Sequence, residues 1–338
     1  MKVIEHNIDF ADVCPNGLPY LKPDTLLFDI ETTGFSAKTA RLYMIGAAYL
    51  EGEELRIKQF LTQSKEDEVF LLITFFNFCK SFSACITYNG SGFDIPFLRE
   101  KEARYKLTNS FPDMKIIDLY KELKPYKKIF KLVDLKQKTI EQFLGIERED
   151  MYTGGELISH YLRYEKQPSD KEEQLLFLHN YEDILGMAKL LAIQAYLDVF
   201  QGQFHFVSAT RNQSINYYGA MEERLVLAAK TNTTIPVPIS YSYDGYYITL
   251  HDDSLMLSTP ISNDTIRVPY LDYKNYYYLV KEDIAILKSM ATYIDKTDRV
   301  NATPKTAYGK YTLTRECLTS ATLFEPYIQS VLTLLLTT

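Results

Sequence analysis

The chain of 338 residues reads as an α/β protein followed by a smaller β-rich α+β domain. Three observations carry that reading. Apolar runs of strand length come first, and strands then alternate with segments of helical spacing, which builds a mixed sheet flanked by helices. After about residue 200 the helical pattern gives way to short β-type runs with turn pairs. Finally, 338 residues are too many for one small core, so two domains are expected, residues 1–200 and 201–338.

Residues 1–22 read as a lead-in with a turn at Pro15-Asn16-Gly17. TLLFDIE (25–31), RLYMIGAAYLEG (41–52) and ELRIKQFLT (54–62) form an opening antiparallel meander, with Thr33-Gly34 and Glu51-Gly52 at the turns. Residues 65–82 have helical spacing and an acidic first turn that suits the helix dipole. A short buried strand (84–90) precedes a helix (94–107) with Pro96 in its first turn. A strand (114–120) and helices over 135–146, 154–166 and 170–197 follow. Beyond 200, residues 233–261 and 265–280 read as β, with turns at Asp244-Gly245 and Asp252-Asp253. Residues 281–295 read as a helix, and SVLTLLLTT as the apolar face of a final one.

Composition is that of an ordinary globular protein, 46% hydrophobic and 24% charged. The net charge of −7 argues against nonspecific coating of nucleic acid, but not against an enzyme that holds a short strand. Cys14, Cys79, Cys85 and Cys317 form no CxxC pair, and the N-terminus carries no secretory signal, so reduced thiols and a cytoplasmic location are expected. No apolar run reaches the roughly 18–20 residues of a membrane span.

Four carboxylates stand in distinctive local frames: Asp29 and Glu31 in LLFDIETTG, Asp94 in ITYNGSGFDIPFL, and Asp183 in LLFLHNYEDILGM. Acidic side chains without a His/Cys cluster suit oxygen-loving cations such as Mg²⁺ or Mn²⁺. Two such ions about 3.5–4 Å apart are a common device for cutting phosphodiesters. Asp29 and Glu31 alternate with Ile30, so the strand's period of two turns both to one face.

In order and context, these motifs resemble the DEDD 3′–5′ exonuclease superfamily on an RNase H-like fold, and more narrowly the bacterial ribonuclease-H-like exonuclease branch. KLVDLKQKTIEQFLGIERED and GGELISHYLRYEK resemble that branch too, and the resemblance covers roughly residues 24–197. It implies that Asp29, Glu31, Asp94 and Asp183 hold two Mg²⁺ or Mn²⁺ ions, and that a nucleic acid, DNA or RNA, is cut from its 3′ end. Members carry either a tyrosine four residues before the last aspartate or a histidine five before it. Here His179 stands four before Asp183 and Leu178 five before, so a histidine occupies the tyrosine position. The resemblance gives His179 the part of orienting or deprotonating the attacking water, while Tyr181 should face away. Thr32, Thr33, Asn89 and Phe93 would lie beside the terminal nucleotide. Lys124, Lys127, Lys128 and Lys131, interleaved with Tyr126 and Phe130, could track phosphates, and the basic stretch 295–315 could extend that path.

Plainer roles compete. Asp94 alone would serve as a helix N-cap, Asp118 as a turn or capping residue, and His160 as a helix-face residue. The lysine run equally suits a solvated face, and the Tyr-rich region 240–280 suits sheet core. Two other functions stand beside the exonuclease: an inactive RNase H-like nucleic-acid-binding or scaffold protein, and a structure-selective endonuclease.

Overall fold

The computed structural model describes residues 1–15, 17–107, 110–215 and 219–337. The expected turn at 15–17 includes Asn16, which lies outside the described residues. The chain divides into two compact units. The first comprises residues 1–124 and 132–194, the second 125–131 and 195–338.

The first unit is built on strands β1 (Lys2–Asp9), β2 (Thr25–Thr32), β3 (Leu42–Glu51), β4 (Glu54–Leu61), β5 (Ala84–Thr87) and β6 (Lys115–Asp118). They form one sheet in the order β1-β4-β3-β2-β5-β6. The first four pair antiparallel, and β2-β5-β6 run parallel. The lead-in expectation for 1–22 is corrected by β1, an edge strand. Its side chains are mostly exposed, so it offers no apolar run to betray it. A short helix α1 (Phe10–Val13) follows it, capped by Asp9, whose carboxylate accepts the Ala11 N–H at 2.9 Å.

Helices α2 (Asp67–Cys79), α3 (Asp94–Arg104), α4 (Leu119–Leu123), α5 (Gln137–Phe143), α6 (Gly154–Lys166) and α7 (Asp170–Leu190) clothe the sheet. β2 is central and largely buried, and Leu26, Phe28 and Ile30 enter a core with Phe60, Leu71, Phe75 and Leu98. The way into β3 is held by a buried polar knot. Lys101 donates to the Ala40 carbonyl at 2.6 Å and pairs with Glu68 at 2.7 Å, while Glu68 accepts the Leu42 N–H at 2.7 Å.

Gly46 sets the seat of α7. It lies opposite Asp29 in the β2–β3 register, and a Cβ there would come within 2.6 Å of Ile184 Cγ1. Backbone without a side chain lets the helix close onto the sheet.

After residues 125–131, the second unit continues in α8 (Gln194–Phe200), all but whose first residue belongs to it. Three long antiparallel strands follow, β7 (Phe204–Ile215), β8 (Met221–Tyr243) and β9 (Tyr246–Pro260). Asp244 and Gly245 both take positive φ at the β8–β9 hairpin, as expected of that turn pair. Asp252-Asp253 is instead an irregularity inside β9, where the register with β8 slips between Lys230, Ile235 and Ile239. Two small antiparallel sheets complete the strands. One joins β10 (Thr265–Pro269) to β14 (Tyr308–Thr312), and the other joins β11 (Tyr276–Leu279) to β12 (Ile284–Leu287) and β13 (Arg299–Asn301). The helix expected over 281–295 is corrected here. Asp283 adopts φ 55° at the turn between β11 and β12, so Ile284, Ala285 and Ile286 pair as a strand and only a 3₁₀ turn follows. The last helix, α9 (Ala321–Leu336), buries Phe324, Ile328, Val331 and Leu332.

Asp283 ties the small strands together. Burial pushes its carboxyl up, but the Tyr278 and Tyr308 hydroxyls and the Lys310 ammonium outweigh that and hold it at about 2.

Two outcomes follow. Gly46→Ala should cost about 1–3 kcal/mol in urea unfolding by lifting α7 from β3, and an unchanged midpoint would show that the helix has slack. An acid held below its unfolded-state value stabilises the fold above about pH 4 and loses that contribution as pH falls toward 2. Asp283→Asn should therefore melt below wild type at pH 7, with the gap closing through that window; a gap independent of pH would remove the Asp283 charge as its cause.

Candidate active site

Three elements bring the four carboxylates together. Asp29 and Glu31 lie on one face of β2, Asp94 opens α3, and Asp183 stands in the middle of α7. Asp94 does not cap its own helix. Its Oδ1 accepts the Ile30 N–H at 3.1 Å, which clips the start of α3 to the strand between Asp29 and Glu31. Glu31 and Asp94 are buried, and Asp29 is half-buried.

Asp29, Glu31 and Asp94 all have their carboxyls pushed above the usual range. Burial is the main cause for each, and for Asp29 the neighbouring Asp94, Glu31 and Asp183 add to it. His179 pulls Glu31 back in part, and the Ile30 N–H does so for Asp94. Asp183 goes the other way. Burial would raise it, but His179 and Arg148 outweigh burial and hold it low. Like charges are thus crowded at one end of β2, and Asp183 is the carboxylate whose neighbouring cations outweigh its burial.

His179 sits one helical turn before Asp183, on the same face. Its Nε2 lies 3.0 Å from Asp183 Oδ2 and 3.5 Å from Glu31 Oε1, and its Nδ1 lies 2.7 Å from Asp150 Oδ2. Burial would lower the imidazolium, but Asp183, Glu31 and Asp150 raise it to about 9. Glu31, His179 and Asp183 offer ligand atoms all within 4.8 Å of one another, a set that could hold a cation.

Sequence reasoning assigned no part to Arg148, Asp150, Tyr43 or Phe35. Arg148 bonds Asp183 on one side and buried Glu141 on the other. Gly186 makes room for that pairing, since a Cβ there would come within 3.1 Å of Arg148 Nη2. Tyr43 reaches Glu31 Oε2 at 3.4 Å and stacks on Tyr161 with ring centroids 4.1 Å apart. Phe35 is 94% exposed and meets Phe93 edge-on at 6.3 Å. Arg148 and Asp150 stand 35 and 29 residues from Asp183 and His179, so local patterning could not name those partners; that both close the stretch KLVDLKQKTIEQFLGIERED was the available signal. For Phe35, an aromatic directly after the first motif was the available signal.

The remaining expected contacts are mixed. Thr32 Oγ1 donates to the Gly34 carbonyl at 2.9 Å, and Thr33 Oγ1 accepts the Arg41 N–H at 2.8 Å, so both hydroxyls shape the β2–β3 loop. Asn89 adopts φ 60°, and its N–H donates to Asp118 Oδ1 at 2.9 Å. Asp118 also accepts the Ser91 N–H, which makes it a turn residue. Phe93 is half-buried at the head of α3. Tyr181 turns away to His6, with ring centroids 4.8 Å apart, and His160 pairs with Glu172 at 2.5 Å. Lys124 belongs to the first unit, while Lys127, Lys128 and Lys131 belong to the second. Tyr126 and Phe130, interleaved with these lysines, are buried and stack on each other.

The four cysteines are free and buried. No described helix is long and apolar enough to cross a membrane.

Comparison with known proteins gives a family. Residues 26–194, half of the chain, match the RNase_H superfamily. No curated protein matches. Among solved structures, the chain is similar to the family B DNA polymerase of the hyperthermophilic archaeon Pyrobaculum calidifontis, with TM-score 0.42 and 16% identity over 53% of this chain and 25% of that one. It is also similar to E. coli exonuclease I in complex with a dT13 oligonucleotide, with TM-score 0.32 and 12% identity over 61% and 54%. A moderately thermophilic exonuclease I from Methylocaldum szegediense gives TM-score 0.30 and 12% identity over the same shares. The chain spans a quarter of the polymerase and about half of each exonuclease. The mixed sheet with flanking helices is RNase H-like, and a nuclease function fits this fold.

Crowded like charges make the site costly to fold without a counter-ion. In EDTA, Asp29→Asn should therefore melt above wild type. A variant that melts at or below wild type would mean that the carboxylates do not repel one another.

Proposed function

Because the chain belongs to the RNase_H superfamily, we propose that it is a metal-dependent 3′–5′ exonuclease, hydrolysing phosphodiester bonds of single-stranded or frayed DNA or RNA. The observation that carries this reading is the convergence of Asp29, Glu31, Asp94 and Asp183 at the end of β2, with like charge that a cation would relieve. Hard carboxylate oxygens fit Mg²⁺ or Mn²⁺. When bound, two such ions activate water and stabilise charge on the phosphate and the leaving 3′-oxygen.

The protein's own groups do the positioning. Asp94, clipped to the Ile30 N–H, keeps the head of α3 against the carboxylate-bearing strand. Thr32 and Thr33 shape the loop that presents Phe35. Phe35 and Phe93, packed edge to face, offer an apolar surface on which a terminal base can stack, a contact worth about 1–3 kcal/mol. Asn89 holds the strained turn that leads into Phe93. Lys124, Lys127, Lys128 and Lys131 are assigned to phosphates through charge alone, because Tyr126 and Phe130 are buried. A cytoplasmic location belongs to the same reading and is supported by the free, buried thiols.

One observation favours the non-cleaving alternative. Arg148 and His179 already neutralise Asp183, as they would in a site that has given up its metal. A single assay separates the two readings. 5′-Labelled DNA and RNA oligonucleotides in Mn²⁺ or Mg²⁺ should give a ladder shortening from the 3′ end, abolished by EDTA and by Asp29→Asn. Phe35→Ala should weaken oligonucleotide binding roughly 5–100-fold, the equivalent of one lost base stack. Metal-dependent binding without cleavage would sink the exonuclease and favour the binding protein, and cleavage of circular DNA would favour an endonuclease.

A further inference from the structure

The histidine at the tyrosine position has a geometry that sets it apart from a residue waiting on water. Its side chain is 4% exposed, and both ring nitrogens face carboxylates. On the Nδ1 side stands Asp150, whose side chain is 2% exposed. Asp150 is itself anchored: Oδ1 accepts the Tyr152 N–H at 3.0 Å, and Oδ2 accepts from Lys138 Nζ at 3.2 Å. The segment then runs straight into the α6 capping box, where Thr153 and Glu156 bond reciprocally, so Asp150 is held from two directions. A carboxylate only accepts, so Nδ1 carries the hydrogen toward Asp150. In the neutral ring the free electron pair is then on Nε2, which points between Glu31 and Asp183.

We propose that His179 is a direct metal ligand, oriented by Asp150, in a Glu31–His179–Asp183 site that takes a divalent transition ion in preference to Mg²⁺. The inference rests on the metal-dependent reading above and deepens it. Three lines support it. Ligands four apart on a helix share one face and can grip one ion, the principle of paired ligands on a single helix. A ligating histidine commonly donates its other N–H to a carboxylate that sets the tautomer and strengthens the donor, which is the part Asp150 would fill. An imidazole nitrogen among carboxylates shifts preference from Mg²⁺ toward ions such as Mn²⁺, Co²⁺ or Zn²⁺. On binding, the ion takes the place of the Nε2 proton, which leaves to solvent, and nothing is oxidised or reduced.

The test is pulsed electron paramagnetic resonance on the full chain loaded with Mn²⁺, with oligonucleotide cleavage measured separately. The wild-type protein should show ¹⁴N coupling from one imidazole. His179→Gln should lose the coupling, and Asp150→Asn should keep it while weakening Mn²⁺ binding about 10–100-fold. Mn²⁺ bound without nitrogen coupling in the wild-type protein overturns the ligand assignment, as does failure to bind Mn²⁺; neither outcome depends on a variant folding. Coupling without cleavage would keep the ligand and sink the exonuclease, whereas cleavage without coupling would do the reverse.

Discussion

Like charge held out of water at one end of a central strand is the constraint on which the first unit depends. Asp29, Glu31 and Asp94 each bear a carboxyl that burial and neighbours push toward the neutral form. A fold gains nothing in stability from such a cluster, since isolated buried charges cost several kcal/mol each. The surrounding structure must therefore over-determine their positions. It does so through the sheet: β2 is largely buried and pairs with β3 along Leu27–Thr32 and with β5 over Thr25–Leu27, and beyond β5 the Asp94 carboxylate takes the Ile30 N–H, so the strand that carries Asp29 and Glu31 is held on both sides.

The helices then close on that strand by backbone devices. Gly46 lets α7 approach β3 opposite Asp29, and the Ile30 N–H holds Asp94 at the start of α3. Gln59 donates to the Phe177 carbonyl and to Asn180 Oδ1, each at 2.9 Å, fixing the rotation of α7 one turn before Asp183. That rotation decides which residues of the helix face the strand. His179 and Asp183 do, and Tyr181, between them, packs on His6 instead.

The segment after α5 has a different task. Arg148 and Asp150 carry opposite charges two residues apart and serve neighbouring groups, Arg148 bonding Asp183 and Asp150 bonding His179. Asp183 is consequently the one carboxylate of the four whose charge is already balanced. The second unit uses a half-buried acid in a related way: Asp283 gathers two tyrosine hydroxyls and Lys310 around one carboxylate.

Much of this was legible in the chain itself. The central strand of the first sheet announced itself as an apolar run ending in acids, and the helices of that unit by spacing and caps, because their signals lie within a few neighbouring residues. The four carboxylates were legible for the same reason, each inside a local frame. β1 was not, since an exposed edge strand has no apolar face, and residues 281–295 misread as helix because the positive φ at Asp283 redirects the chain into a hairpin. What tertiary structure alone decided are the partners: Asp150 for His179 and Arg148 for Asp183, at separations of 29 and 35 residues, and the burial of Tyr126 and Phe130 that removes them from any surface. Periodicity reports which face of an element is apolar, while the choice of a charge's partner depends on where other elements come to rest, and only the packed chain specifies that.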